Sequence, residues 1–187
     1  MPLVRQASAA VGALALLLSG CGGSESGPPK SDSVGSTAGR NALVGEWQRE
    51  TTCAELVQAL RDAGMEGFVR EFVAGNGFIP GIQSADQLAD SDDPCKSAVR
   101  RVHSHFFTEG GAFGSHDWNG EDVDDGSYRV DADKVVISKE FPDVIFRYRI
   151  DGDTITFDPE IPNGCASFRC AWSISVAYPG KSWRRVE

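Results

Sequence analysis

The chain has 187 residues, 41% of them hydrophobic and 24% charged, with a formal net charge of −9 at neutral pH. That length allows one domain of ordinary size with some chain to spare, and too little for two comfortable domains. The acid excess excludes nucleic acid as a partner, since phosphate binding needs clustered Lys and Arg, and it gives no help in holding an anionic lipid surface.

The N-terminus carries one cation, Arg5, then an apolar run from Ala9 to Leu18, then Ser19-Gly20-Cys21. A charged start, a short apolar run and small residues before a cut describe a secretory signal peptide. The run is too short to cross a bilayer core of ~30 Å as a helix. Leu18-Ser19-Gly20-Cys21 resembles a bacterial lipobox. The resemblance implies diacylglyceryl transfer to the Cys21 thiol and cleavage before it. Residues 1–20 are then a leader, and the chain is held at the extracytoplasmic face of the cell membrane through the lipid on Cys21. Two acyl chains suffice for a stable anchor at ~0.8 kcal/mol per buried methylene. From Gly22 to about Gly39 the residues are Gly, Ser, Pro and polar types with almost nothing apolar. Such a stretch cannot bury enough surface to offset the entropy of ordering, so residues 21–40 read as lipidated cysteine and flexible tether. The folded domain is expected over residues 41–187, beginning near Asn41.

Leu43 to Arg49 reads as a first strand with Trp47 pointing inward. A helical region follows it. Thr52 and Glu55 fit a capping box, Leu56, Leu60 and Ala63 fall at helical spacing, and Gly64 suits a C-terminal cap. Phe68, Val69, Phe72 and Val73 suggest a second short helix ended by Gly75-Asn76-Gly77, and Ser84 to Gln87 offers another start. From about Val99 the period changes from helical to two. Val102 and Phe106 share one face and Phe107 takes the other. Asp125 to Val130, the turn Asp131-Ala132-Asp133, and Val135 with Ile137 have the shape of a hairpin. Val144, Phe146, Tyr148 and Ile150 alternate with polar neighbours, Asp151-Gly152 suits a primed turn, and Thr154 to Phe157 answers as the next strand. Trp172, Ile174, Val176 and Tyr178 read as a further strand, and Lys181 to Val186 closes the chain. Strands joined by short turns with no helices between them indicate an antiparallel meander, either a closed barrel or a sandwich. The fold class is therefore mainly β, with helices inserted after the first strand.

Apart from Cys21 there are four cysteines, Cys53, Cys95, Cys165 and Cys170. An even number in an exported domain is most simply read as disulfides, with three pairings open. Cys53–Cys95 with Cys165–Cys170 is preferred because each pair brackets one coherent segment. Zinc is the competing reading, against which stand the lack of a C-x-x-C pair and the oxidising compartment.

Gly45-x-Trp47 on the first strand, the meander after it and Trp183-Arg184 on the last strand are similar to lipocalins and their calycin relatives. In that family the Gly-x-Trp indole plugs the closed end of an eight-stranded barrel and a late basic residue packs over it. The resemblance implies a barrel floor of Gly45 and Trp47 with Arg184, or its neighbour Arg185, as the cation. It further implies a cavity lined by Val144, Phe146, Tyr148, Phe157 and Trp172 that takes a small apolar molecule or lipid. The helical stretch from Thr52 to Asp93 departs from the family pattern and would cap the cavity or fill it. The bulk of Phe146, Tyr148, Phe157 and Trp172 favours instead a filled barrel serving as an interaction or scaffold domain for an envelope protein partner.

His103 and His105 lie two apart and point the same way on a strand, with His116 on the next one. Such a set could bind zinc or copper, although strand histidines are more often solvated or bonded to backbone, and no metal is expected. Asp117 to Glu121 begins like a calcium loop and fails at Asp122 and Tyr128, where a glycine and a bidentate Glu are needed. Glu121 to Asp125 then reads as a solvated turn. No nucleophile elbow, phosphate loop or dinucleotide fingerprint is present, and Ser104 faces away from the flanking histidines. Neither an enzyme nor a cofactor is expected.

Overall fold

The computed structural model describes residues 34–89, 93–117, 119–139 and 142–186. The leader, Cys21 and the expected tether up to residue 33 lie outside the described residues. Eight antiparallel strands close into one barrel in sequence order, β1 (Gly45–Thr51), β2 (Arg101–Phe107), β3 (Ala112–His116), β4 (Asp122–Asp131), β5 (Lys134–Ser138), β6 (Val144–Asp151), β7 (Thr154–Pro159) and β8 (Ser182–Val186). The last strand returns to the first through Trp47↔Arg185 and Gln48↔Arg184.

Register and alternation agree all the way round. Tyr128, Ile137 and Val144 share one inward row, and Val130, Val135 and Phe146 share the next. Ile155 sits opposite Trp183 and both are fully buried. A slip of one residue would turn each of these rows to solvent, which is what fixes the pairing.

The connections divide by end. At one end, the floor, β2–β3, β4–β5 and β6–β7 are joined by short hairpins, and the chain enters β1 from helix α1 (Val34–Leu43). The folded unit thus begins before Asn41. Helix α1 packs against β4, and a Cβ on Gly39 would lie 2.9 Å from the Tyr148 hydroxyl. Its small, polar composition gave no periodic signal, because close approach rather than a large apolar stripe seats it.

At the other end, the mouth, lie the insertion after β1 and a long connection between β7 and β8. The insertion holds helices α2 (Cys53–Asp62) and α3 (Val69–Gly75) and a 3₁₀ turn at Ala85–Gln87. Thr52 caps α2 by accepting from the Glu55 amide at 3.2 Å, while the Glu55 carboxylate accepts from the Thr52 amide at 3.0 Å. Leu56 and Leu60 are fully buried and Gly64 leaves the helix at φ +71°. Cys53 is joined to Cys95 with their Cα atoms 5.6 Å apart, and Cys165 to Cys170 at 6.4 Å.

The stretch from Trp172 to Tyr178 is a helix rather than a strand. Helix α4 (Phe168–Ala177) starts at Ser167, whose hydroxyl accepts from the Cys170 amide at 3.4 Å, and ends at Tyr178 in the left-handed region just before Pro179-Gly180. Alternation at Trp172, Ile174 and Val176 hid a second pattern, Ala171, Ile174 and Ala177, all buried and spaced three apart. Ser173 and Ser175 inside the helix return their hydroxyls to the carbonyls of Arg169 and Trp172, so burial leaves neither unpaired. The meander therefore does carry a helix between its last two strands, and α2 and α4 pack on each other over the mouth.

Candidate functional site

The floor is built around Trp47, which is fully buried and donates its indole N–H to the Leu43 carbonyl at 2.9 Å. The cation laid over its ring is Arg185, with the guanidinium carbon 4.2 Å from the ring centroid. Arg185 also donates to the carbonyls of Val44 and Ala42, both at 2.6 Å, tying the end of α1 to the last strand. Arg184, the first choice from sequence, is exposed and points outward. Trp183 faces the interior, so residue 185, two further on, must do the same and residue 184 cannot. Gly45 is required here, because its φ is +125° and a Cβ would stand 2.9 Å from the Arg185 guanidinium.

Above the floor the barrel is filled with rings. Phe107 lies 5.0 Å from both Phe113 and Tyr128, Phe157 lies 6.3 Å from Phe146, and Trp183 lies 4.5 Å from His105. Of the residues expected to line an interior cavity, Val144, Phe146 and Phe157 are buried in this packing. Tyr148 reaches down to donate to the Gly39 carbonyl at 3.5 Å. Trp172 stands apart from them on α4.

Open space bordered by the candidate residues lies at the mouth. A cavity of about 520 Å³ is bounded by α3, α4, the 3₁₀ turn and the upper ends of β2, β3 and β4. Phe72, Phe168 and Trp172 supply aromatic wall, and the rings of Phe72 and Phe168 stack at 5.2 Å. A β-bulge supplies its buried carboxylate. Phe113 pairs with Gly126 and Gly114 with Asp124, which leaves Asp125 as the extra residue. The bulge re-aims Asp125 toward Ser115, which donates to it at 2.6 Å, while Lys139 approaches its other oxygen at 3.2 Å. Gly114 permits this irregularity, since a Cβ there would lie 2.6 Å from the Val123 carbonyl and collide with Phe106. Asp122 to Asp125 is thus the start of β4, with Asp125 only 7% exposed, and not a solvated turn. Just before it, Asp117 folds a tight turn by accepting from the amides of Asn119 at 2.7 Å and Glu121 at 2.9 Å.

His103 and His105 do point the same way and both border the cavity. His105 is buried, and its Nε2 lies 3.1 Å from the Val176 carbonyl. A carbonyl only accepts, so Nε2 carries the proton, and Nδ1 is a bare, buried acceptor with no partner. Burial pulls the His105 imidazolium down to about 4. His103 is wedged between Phe78 and Tyr178, each 5.7 Å away, and burial with repulsion from His105 takes it to about 3. Both are neutral imidazoles at pH 7. His116 pairs in register with Ser104 and so lies on the opposite face, between Glu46 at 3.4 Å and Asp122 at 2.8 Å. The three imidazoles do not converge, and no group of three or more metal-ligating side chains occurs among the described residues. Ser115 gives its proton to Asp125 and His105 gives its own to Val176, so the two make no nucleophile–base pair.

Apart from the three histidines and Trp172, the cavity wall was not legible as a site. Phe72 reads as helix core, and Phe168 carries no pattern of its own. Their convergence depends on elements about a hundred residues apart in the chain. The fold and site define a closed, up-and-down β-barrel with a tryptophan floor, a packed interior and a lined hollow at its capped mouth. No protein-family model, no curated protein and no solved structure matches the chain.

Proposed function

We propose that this chain is an exported, lipid-anchored binding protein of the cell envelope whose barrel domain holds a small molecule at its mouth. The leader ending in Leu18-Ser19-Gly20-Cys21 supports the export and the anchor. The eight-stranded closed barrel, with Gly45, Trp47 and Arg185 at its floor, supports a lipocalin-like reading. The observation that carries the binding function is the cavity of about 520 Å³, a size within the range of small-molecule sites and lined as they are, by apolar wall with a few placed polar groups. The ligand seat is moved relative to the lipocalin expectation, out of the barrel and into the space between the barrel rim and its helical cover. Native mass spectrometry of the protein purified from its own host tests this. A retained small molecule that is lost on Trp172→Ala is the expected result, and a bare protein with no bound species would count against it.

A second reading is favoured by the ring packing from Phe107 to Trp183. A solid interior suits an interaction or scaffold domain whose helical insertion meets an envelope partner. Crosslinking in cells would then recover one protein through residues of α2 or α3, with no small molecule in the mass spectrum.

A further inference from the structure

The chemistry of the cavity wall selects the charge of its occupant. Three carboxylates border the space, Glu71 from α3, Asp117 from the turn after β3, and Asp125 from the bulge, and no Lys or Arg is among the residues that line it. Asp125 is compensated from behind by Lys139, whereas no cation is within ion-pairing distance of Glu71 or Asp117 among the described residues. Among the other polar side chains of the wall, Ser115 and Ser175 spend their hydroxyl hydrogens on protein acceptors. Asp117 has one oxygen committed to backbone amides. His105 offers an unpartnered, buried Nδ1 lone pair. The apolar wall is aromatic on the side of Phe72, Phe168 and Trp172, and ring faces attract a cation electrostatically besides accepting an alkyl chain. An anionic lipid headgroup would meet these carboxylates and no Lys or Arg side chain.

Resting on the binding function above, we infer that the mouth cavity takes a cationic amine with an apolar body, its ammonium toward Glu71 and Asp117 and its hydrocarbon against Phe72, Phe168 and Trp172. A fatty acid or other anionic lipid is the wrong sign for the site.

Three probes of one shape and different charge separate the possibilities: octylammonium, octanol and octanoate, titrated into the full chain carrying Cys21→Ala so that no acyl group competes. Calorimetry gives the affinity and amide NMR shifts locate the site. Octylammonium should bind about tenfold more tightly than octanoate at low salt, with shifts at Gly75, Ser104 and Val176. The preference should fall toward parity in Glu71→Gln with Asp117→Asn, and also as salt is raised. Asp117→Asn keeps the oxygen that the turn uses, so the fold is retained. Octanoate or octanol matching octylammonium at the same amides would overturn the charge selection while leaving a binding site at the mouth. A preference unchanged in the double variant would overturn it as well. Absence of shifts at the cavity amides with all three probes would overturn both this inference and the binding function.

Discussion

Deleting the Trp47 indole should cost ~3–5 kcal/mol, the usual range for a large buried aromatic. Arg185→Ala should cost less, since a cation over a ring contributes ~0.5–2 kcal/mol. Arg184→Ala, on the outer face, should change the urea midpoint hardly at all. Equal effects at 184 and 185 would contradict the floor geometry. The two buried histidines make a second test. Their folded values, about 3 and about 4, lie below the ordinary 6.5, so between those limits the unfolded chain binds protons that the folded chain does not. Their contribution is complete above ~6.5 and is lost as pH falls, at up to ~1.4 kcal/mol per pH unit for each histidine. Urea unfolding at about pH 7.5 and about pH 5 reads this directly, and His103→Gln should flatten the slope by its share. A stability that does not change across the window would rule the account out. Much of this was visible before folding. The inward Trp47 and the shared face of His103 and His105 follow from strand alternation, while Gly45 was marked only by the Gly-x-Trp resemblance. The neutrality of the histidines does not, because it comes from Trp183 on the last strand and from Phe78 and Tyr178, which only the elements over the mouth bring to them.

Among the elements, the disulfides rank themselves by loop length. Cys53–Cys95 spans 42 residues and Cys165–Cys170 spans 5. In the chain-entropy model these correspond to ~4 and ~2 kcal/mol. Replacing Cys53 and Cys95 by serine should therefore lower the melting temperature more than replacing Cys165 and Cys170, and the reverse order in calorimetry would refute that ranking. The strands, α2 with its capping box and both cysteine pairs could be read from local pattern, since each is specified within a few residues or brackets one segment. Helix α4 could not, because Trp172, Ile174, Val176 and Tyr178 fit a period of two while Ala171, Ile174 and Ala177 fit a helix. Packing against α2 decided between them, and that contact is long-range. The bulge at Asp125 was hidden for a related reason. A run of acids looks solvated until Ser115 arrives from β3 and Lys139 from just beyond β5.

For the whole molecule the N-terminal boundary carries a prediction. Leu43 is fully buried and its carbonyl receives the Trp47 indole proton, while Arg185 holds the carbonyls of Ala42 and Val44. A chain beginning at Ser33 should fold with full stability, and one beginning at Val44 should lose ~2–5 kcal/mol, the cost of a missing buried leucine. Equal melting curves would show α1 to be dispensable. In cells, Cys21→Ala should release the folded protein from the membrane, and labelling with a fatty acid should mark the wild type alone. An unlabelled wild type in the medium would end the lipoprotein reading.

The Cys53–Cys95 bridge also determines how the molecule responds to a protease. Both of its sulfurs sit at the ends of the stretch that covers the mouth, so a single peptide cut anywhere between them severs the backbone without releasing a fragment. A nicked molecule would run as one band without reductant and as two with it. Since β1 stays with the N-terminal piece and β2 with the C-terminal one, the halves would remain paired across seven register positions of the barrel wall. Limited digestion could thus open the cover of the cavity while the barrel stays closed, a molecule cleaved in sequence and whole in shape.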